Sequence, residues 1–215
     1  MKKIKDELIN IFETNQFLKF GLYYRLFNLS RLADFLLPLI EIRTKKNLRS
    51  SSALLMALSR YQNTKTKKPP KPQKNLITNL TTTTNLNIIT FTKNQNVLRQ
   101  INKIYQEAQQ NNSYFTLSQG INELTIITEE TLMKKIRKLI SDKEKSFIDD
   151  IASLGIHYDE KNFSMPGLLY QIIQPIALQG ININEITSTY TEISVCVKQK
   201  DLKLLFNTIY NQFMV

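Results

Sequence analysis

The residues best suited to recognising a small molecule lie in the last third of the sequence. Pro166 and Gly167 precede a predicted helix, and glycine lets the backbone turn tightly into it. The first amides of such a helix are unpaired and lie at its positive dipole end, so they can hold a carboxylate. Asn184 and Glu192 follow, and they can offer an amide and a carboxylate to the polar ends of an amino acid. This pattern predicts ligand recognition.

Residues that could support catalysis are scarce. The sequence has one histidine, His157, and one cysteine, Cys196, so a histidine-based metal site or catalytic triad has little material. Both fall in predicted strands, where we expect a structural histidine and a buried thiol. The paired carboxylates Asp149 and Asp150 are expected to be exposed to solvent. Five glycines leave little room for a phosphate-binding loop, so we predict a protein that is not an enzyme and needs no cofactor or metal.

The elements that must position these residues follow from apolar spacing. After residue 75 the pattern reads strand, helix, two strands and helix, and the order then repeats. The period is about 69 to 70 residues, because Glu123 at the start of one strand aligns with Glu192. The predicted elements are strand 76–91, helix 95–110, strands 114–118 and 123–128, helix 131–140, extended segment 147–163, helix 167–179, strands 182–189 and 192–198, and helix 201–213.

Each β-α-β-β-α unit, with a further strand from its neighbour, predicts a ferredoxin-like sandwich with two helices on one face of an antiparallel sheet. The opposite face of the sheet then needs a cover. We expect the pairing of the two repeats to supply it. Pro175 lies inside a predicted helix, where it is expected to cause a kink.

The stretch from Met165 to Val195 resembles the ACT domain, especially the C-terminal regulatory domains of aspartate kinases. The shared features are Pro166-Gly167 opening a helix, Gly180-Ile-Asn-Ile leading from it into a strand, and a strand that starts Thr191-Glu-Ile-Ser. The first repeat departs from this pattern, since Asn96-Val97 stands where Pro-Gly is expected, and we predict it to be a structural partner.

The resemblance implies an amino-acid effector bound between the first helix start and the second strand, often across a pair of domains. An alternative is that the same residues only build the fold, because Pro-Gly and Gly-Ile-Asn also turn and end elements. The matching positions are Gly167, Leu168, Leu169, Ile183, Asn184, Thr191, Glu192 and Ile193.

Positive charge is concentrated at the other end of the chain. Residues 1–75 hold 16 Lys or Arg and 5 Asp or Glu, which is the whole net charge of +11, and the remaining 140 residues are neutral. Such asymmetry favours a polyanionic partner for the basic segment, although a solvated basic face is the alternative. The segment 64–74 has three prolines and no apolar residue, which predicts a linker.

Helical spacing before the linker predicts a helix-turn-helix of three helices. Ser30 is expected to cap one helix, Pro38 to kink or restart it, and Ser51–Tyr61 to form the helix that enters a DNA groove. Its core-facing residues are predicted to be Ala53, Leu54, Ala57, Leu58 and Tyr61. The candidate nucleic-acid contacts are Lys45, Lys46, Arg49, Ser51, Ser52, Ser59, Arg60, Lys65, Lys67 and Lys68.

The predicted architecture is therefore α+β. It has an all-helical helix-turn-helix-like domain at 1–63, a basic Pro-rich linker at 64–75, a first, degenerate ACT-like domain at 76–145 and a second ACT-like domain at 146–215. The two ACT-like domains are tandem ferredoxin-like βαββαβ sandwiches.

The functional prediction is a transcriptional regulator that binds DNA and senses an amino acid or similar metabolite, as a homodimer presenting paired helices. The alternative is a non-catalytic regulatory or scaffolding subunit that binds a metabolic enzyme. RNA is a third alternative for the partner. The helical segment, however, lacks the strands with aromatic side chains on which the bases of single-stranded RNA usually stack. The sequence shows no long apolar run and no signal-peptide pattern, so we predict a cytoplasmic protein without a membrane partner.

Overall fold

The computed structural model describes residues 3–45, 47–48, 50–65 and 76–214. Two compact units divide the chain: one holds the described residues up to Leu76 together with Lys161–Pro175, and the other holds Ile77–Glu160 together with the described residues from Ile176 onward. The elements are α1 (Ile4–Thr14), α2 (Gln16–Tyr23), α3 (Leu29–Thr44), α4 (Ser52–Lys65), β1 (Ile77–Thr92), α5 (Gln95–Gln110), β2 (Phe115–Gln119), β3 (Glu123–Glu129), α6 (Glu130–Leu139), β4 (Glu144–Tyr158), α7 (Leu168–Leu178), β5 (Ile183–Ser188), β6 (Glu192–Lys198) and α8 (Leu202–Phe213).

The helical unit has four helices before residue 66 instead of the predicted three. Asn15 separates α1 from α2, and its side chain accepts a hydrogen bond from the Leu18 amide at 3.0 Å. The predicted cap of α3 was wrong: Asn28, not Ser30, accepts bonds from the amides of Ser30 and Arg31, at 3.0 and 3.2 Å. Because α3 continues through Pro38 to Thr44, the proline does not restart the helix.

One apolar cluster holds these helices together. The Phe12 ring stacks on Tyr61 with centroids 4.9 Å apart, and Leu54 and Leu58 of α4 are fully buried. Ala53 is exposed, so its predicted core position was wrong. The buried stripe of α4 follows the larger side chains at positions 54, 58 and 61, and Ala53 lies beside it.

The repeat predicted from the sequence is confirmed as a succession of elements, with most boundaries agreeing to within one or two residues. All six strands belong to one antiparallel sheet in the order β2-β3-β1-β4-β6-β5. The helix Gln95–Gln110 and the strand Glu192–Lys198 have the predicted limits.

The two long strands β1 and β4 join the repeats edge to edge. The second half of β1 pairs with β3 and with the start of β4, whereas its first half, Ile77–Thr83, pairs only with Ser153–Tyr158 of β4. Each repeat therefore obtains its fourth strand from the first strand of the other. The predicted borrowing of a strand from the neighbour is confirmed.

The two faces of the sheet are covered differently. On one face, Ile89 and Phe91 pack with residues of α5 and α6 such as Ile101 and Ile136. On the other face, Leu86, Ile88, Ile127, Ile151 and Cys196 form a separate buried cluster. Edge-to-edge pairing brings these side chains from four adjacent strands together into one apolar cluster on that face.

Within the described residues, no helix combines the length and apolar character needed to cross a membrane.

Candidate functional site

The Pro166-Gly167 turn opens α7 as the sequence predicts. Gly167 has a left-handed φ of +84°, and its carbonyl accepts the hydrogen bond from Gln171 that starts the helix, at 3.0 Å. A Cβ at this position would lie 2.8 Å from Cγ of Gln16 on α2. Glycine is thus needed both for the backbone angle and for close packing. Leu168 is buried and Leu169 is 53% exposed.

Asn184 is the most informative of the predicted ligand residues. A register shift between Ile183 and Glu185 leaves Asn184 as the extra residue of a bulge in β5. Its side-chain oxygen Oδ1 is buried and has no hydrogen-bond partner. Buried polar atoms are rarely left in this state, because the loss of hydration costs about 1–3 kcal/mol. Burial also raises the pKa of the neighbouring Glu185 carboxyl.

Of the other predicted ligand residues on the β5–β6 hairpin, Ile183 adjoins Asn184, whereas Thr191, Glu192 and Ile193 lie at the opposite end. Ile183 pairs with Val197, whereas Ile193 pairs with Ser188. Four residues of β6 separate these positions, which is about 13 Å along a strand. The Thr191 carbonyl accepts from the Tyr158 amide at 3.0 Å. The hairpin alone therefore does not bring Asn184 beside Thr191, Glu192 or Ile193.

Glu192 instead belongs to a polar cluster that sequence reasoning missed. Thr81, Gly155 and Ser194 lie side by side on β1, β4 and β6. The Ser194 hydroxyl donates to Oε1 of Glu192 at 3.1 Å, and the Thr81 hydroxyl is 3.3 Å from Nε2 of His157. These partners come from strands up to 76 residues apart. No local pattern reports such a register.

Cys196 lies on the same face of β6 as Ser194 and is fully buried. Burial raises the pKa of its thiol to about 11, the Ser153 hydroxyl opposes the shift, and the Glu185 carboxylate adds to it. A thiol in this state is a poor nucleophile at neutral pH. The predicted buried cysteine is confirmed.

The corresponding helix start in the first repeat has a different construction. Asn94 caps α5 by accepting from the Val97 amide at 2.8 Å. The side-chain amides of Asn94 and Asn96 donate to the two carboxylate oxygens of Asp142, at 2.8 and 2.9 Å. The polar side chains at this helix start are therefore already bonded to Asp142, whereas the second repeat has the Pro-Gly turn at the equivalent place.

The predicted nucleic-acid contacts of the basic segment have mixed surroundings. Ser52 and Arg60 are exposed, Ser51 and Ser59 are half-buried, and Lys45 is an exposed left-handed residue at the end of α3. Ser51 donates to Oδ1 of Asp34 at 2.6 Å. Lys65 ends α4, and its side chain lies outside the described atoms. Lys46, Arg49, Lys67 and Lys68 are outside the described residues, as is the predicted linker from residue 66 onward.

A family model for the ACT domain matches residues 146–210. Residues 146–210 are therefore similar to the ACT domain. The matched segment includes β4, α7, β5, β6 and most of α8, and therefore contains the Pro-Gly turn, the Asn184 bulge and Glu192. A comparison with curated proteins gave no match.

Several solved structures are similar in fold to most of this chain. The aspartate kinase of Clostridium acetobutylicum is 17% identical with a TM-score of 0.53, and the match covers 69% of this chain and 37% of the kinase. The ligand-free regulatory subunit of aspartate kinase from Thermus thermophilus is 16% identical with a TM-score of 0.51, over 65% of this chain and 99% of that subunit. Aspartate kinase from Synechocystis is 15% identical with a TM-score of 0.51, over 77% of this chain and 31% of that kinase.

These figures give the extent of the similarity. The chain spans little more than a third of the Clostridium kinase, but it spans nearly the whole Thermus regulatory subunit. At such identities the likeness establishes the fold alone.

Proposed function

We propose that this protein is a non-catalytic regulatory chain that binds an amino-acid effector through its ACT domain and acts on a metabolic enzyme. The observation that carries the proposal is the side-chain oxygen Oδ1 of Asn184, which lies within the ACT match and is buried without a hydrogen-bond partner. A ligand ammonium group can donate to this oxygen and remove the cost of its burial. The amides at the start of α7 remain candidates for a ligand carboxylate.

We propose the other predicted ligand residues as further effector contacts: Gly167, Leu168, Leu169, Ile183, Thr191, Glu192 and Ile193. The last three lie about 13 Å along the hairpin from Asn184, so in this proposal they meet an effector across a pair of chains. The proposal includes the homodimer predicted from the sequence, because ACT domains often pair with one another in oligomers.

Thermal stability in the presence of each of the twenty protein amino acids tests effector binding. An effector at 100 times its dissociation constant stabilises the folded chain by about 2.7 kcal/mol. Asn184→Ala should reduce its affinity at least tenfold, because the acceptor for the ammonium group is removed. Asn182→Ala, at an exposed position two residues earlier, is the matched control and should leave affinity unchanged. Stabilisation by none of the amino acids would contradict effector binding.

The fold similarity favours an enzyme as the macromolecular partner. The Thermus protein is described as a regulatory subunit of aspartate kinase, and it is matched over nearly its whole length. We propose that this chain likewise acts on a separate catalytic chain. Affinity capture from nuclease-treated extract should recover one metabolic enzyme in a stoichiometric amount, and the recovery should change when the effector is added. Capture that depends on intact nucleic acid would contradict this reading.

DNA binding is the second candidate, and the charge distribution favours it. All of the net charge of +11 belongs to residues 1–75. In this proposal Ser52, Arg60 and the other predicted contacts meet phosphates, and the regulator is transcriptional. The logarithm of the DNA affinity should then fall linearly with the logarithm of salt concentration, with a slope near −0.9 for each phosphate contacted. A flat salt dependence in a gel-shift titration would count against it.

A further inference from the structure

Two reciprocal bulges lie where the long strands of the sheet cross from one repeat to the other. β1 has an extra residue between Thr83 and Leu86, and β4 has one between Ile148 and Ile151. Each bulge holds a left-handed residue: Asn85 has φ +58° and Asp150 has φ +53°. Asn and Asp adopt this conformation more readily than other non-glycine residues, so the sequence suits both bulges.

A residue at the start of a helix lies in the equivalent place of each repeat, beside one of the two bulges. These two residues make different contacts. Glu130 and Gln199 are equivalent, because they follow the aligned residues Glu123 and Glu192 at the same distance. Oε1 of Gln199 accepts from the backbone amide of Asn85 at 2.9 Å, which closes the bulge in β1. Glu130 pairs with Lys134 on its own helix at 2.8 Å instead.

The bulge in β4 is open. A cavity of about 450 Å³ lies there, and we call it the bulge cavity. Its volume is within the range of about 300–1,000 Å³ that small-molecule sites have. The lining residues include Asn85, Leu86, Lys134, Arg137, Phe147 and Asp150.

Both signs of charge line this cavity. The Arg137 guanidinium lies 4.5 Å from the centre of the Phe147 ring and 2.9 Å from Glu144, so its position is fixed by partners on both sides. Asp149 is held by Lys198 at 3.2 Å. Among the described residues, Asp150 has no ion-pair partner, and Lys134 is bound only through the exposed pair with Glu130, which is worth well under about 1 kcal/mol.

We propose that the bulge cavity binds a second molecule of the amino-acid class. Its ammonium group lies against Asp150 and its carboxylate against Lys134 and Arg137. Leu86, Met133 and Phe147 give the cavity an apolar wall, which favours an apolar side chain on the ligand. The proposal does not depend on Asn184, which lies on the edge strand β5.

The location gives such a ligand a consequence for stability. β1 begins the first repeat and β4 begins the second, so a molecule held between Asn85, Asp150 and α6 contacts both. Binding there stabilises the folded sheet at the junction of the two repeats.

Isothermal titration with each of the twenty protein amino acids tests the bulge cavity in the full-length chain. Asp150→Asn keeps a residue suited to the left-handed backbone but removes the carboxylate, and Lys134→Gln removes the cation. Each should weaken binding at least tenfold. Lys203→Gln is the matched control, because Lys203 is the repeat equivalent of Lys134 beside the closed bulge, and it should leave binding unchanged.

Unchanged affinity in both Asp150→Asn and Lys134→Gln would overturn the proposal, as would the absence of binding for all twenty amino acids. The wild-type chain should bind two molecules, and support for the proposal is that Asn184→Ala keeps the cavity site while the cavity variants keep the β5 site. A single site that Asn184→Ala weakens, whether or not the cavity variants also weaken it, would overturn the proposal.

Discussion

Gly155 is closely packed against polar side chains of the neighbouring strands. A Cβ there would lie 2.4 Å from the Thr81 hydroxyl and 2.8 Å from Oε1 of Glu192. We predict that Gly155→Ala destabilises the chain by about 1–3 kcal/mol, the usual cost of overpacking. Urea denaturation measures this. Gly120→Ala, whose added Cβ would be 3.6 Å from the nearest atom, should change stability by less than about 0.5 kcal/mol.

A double variant distinguishes a clash from a general loss of strand stability. Thr81→Ala removes the hydroxyl that the new methyl group would meet, so the double variant should be more stable than the sum of the single changes predicts. Additive effects would mean that the hydroxyl and the methyl group do not interact.

The buried thiol of Cys196 gives the fold a dependence on alkaline pH. Its folded pKa is about 11, whereas an unfolded cysteine titrates near 8.5. The unfolded state therefore loses its proton first. The stabilisation from the protonated thiol is complete below about pH 8.5. It is lost as pH rises toward 11, at up to roughly 1.4 kcal/mol of unfolding free energy per pH unit.

Cys196→Val provides the comparison, because valine has a similar volume and does not titrate. We predict that the wild-type protein loses stability relative to this variant between about pH 8.5 and 11. Parallel stability curves over that range would show that the thiol does not titrate differently in the folded and unfolded states.

At the scale of elements, the start of α3 separates sequence reasoning from structure. Asn28 accepts two amide hydrogen bonds there, whereas Ser30 only donates its own amide to Asn28. Asn28→Ala should cost about 1 kcal/mol. Ser30→Ala should cost much less, and Asn28→Asp should keep most of the stability because it keeps an acceptor. Circular dichroism during urea unfolding measures all three, and equal losses for the two alanine variants would contradict this assignment of the cap.

The elements could be predicted from the sequence where the signal is periodic and local. Gln95–Gln110 follows a helical spacing with an asparagine before it, and Glu192–Lys198 follows a strict alternation. The cap of α3 was predicted two residues too late, because Asn28 and Ser30 are both good capping residues. Nothing local distinguishes Asn85 or Asp150, in their bulges, from polar residues on an ordinary exposed strand.

The candidate site was predictable only in part for the same reason. The Pro-Gly turn and Asn184 stand out because proline and glycines flank them within a few residues and mark where the helix starts and ends. The group around Gly155 depends on register between strands that are far apart in the sequence, such as those of Thr81 and His157, which are separated by 76 residues. The contact between the Phe17 and Tyr170 rings, 6.4 Å apart in the helical unit, depends on tertiary packing that neither segment reveals alone.

At the scale of the whole molecule, the interlocked repeats imply that neither folds alone. The ACT match begins at residue 146, but its sheet is completed by Ile77–Thr83 of β1. A fragment of residues 144–214 would expose the paired edge of β4. Exposed strand edges promote association with other chains. We predict that this fragment shows no cooperative unfolding transition and associates at micromolar concentration.

A fragment of residues 76–214 is the matched control, because it lacks the same N-terminal helices but keeps β1 and the first repeat. It should unfold cooperatively in urea, and in the shorter fragment an added peptide of residues 76–84 should restore part of that transition. A scrambled peptide should have no effect, since the pairing with β4 depends on register. Cooperative unfolding of residues 144–214 alone would contradict the interlocked architecture, and the bulge cavity would then lie between two independently stable domains.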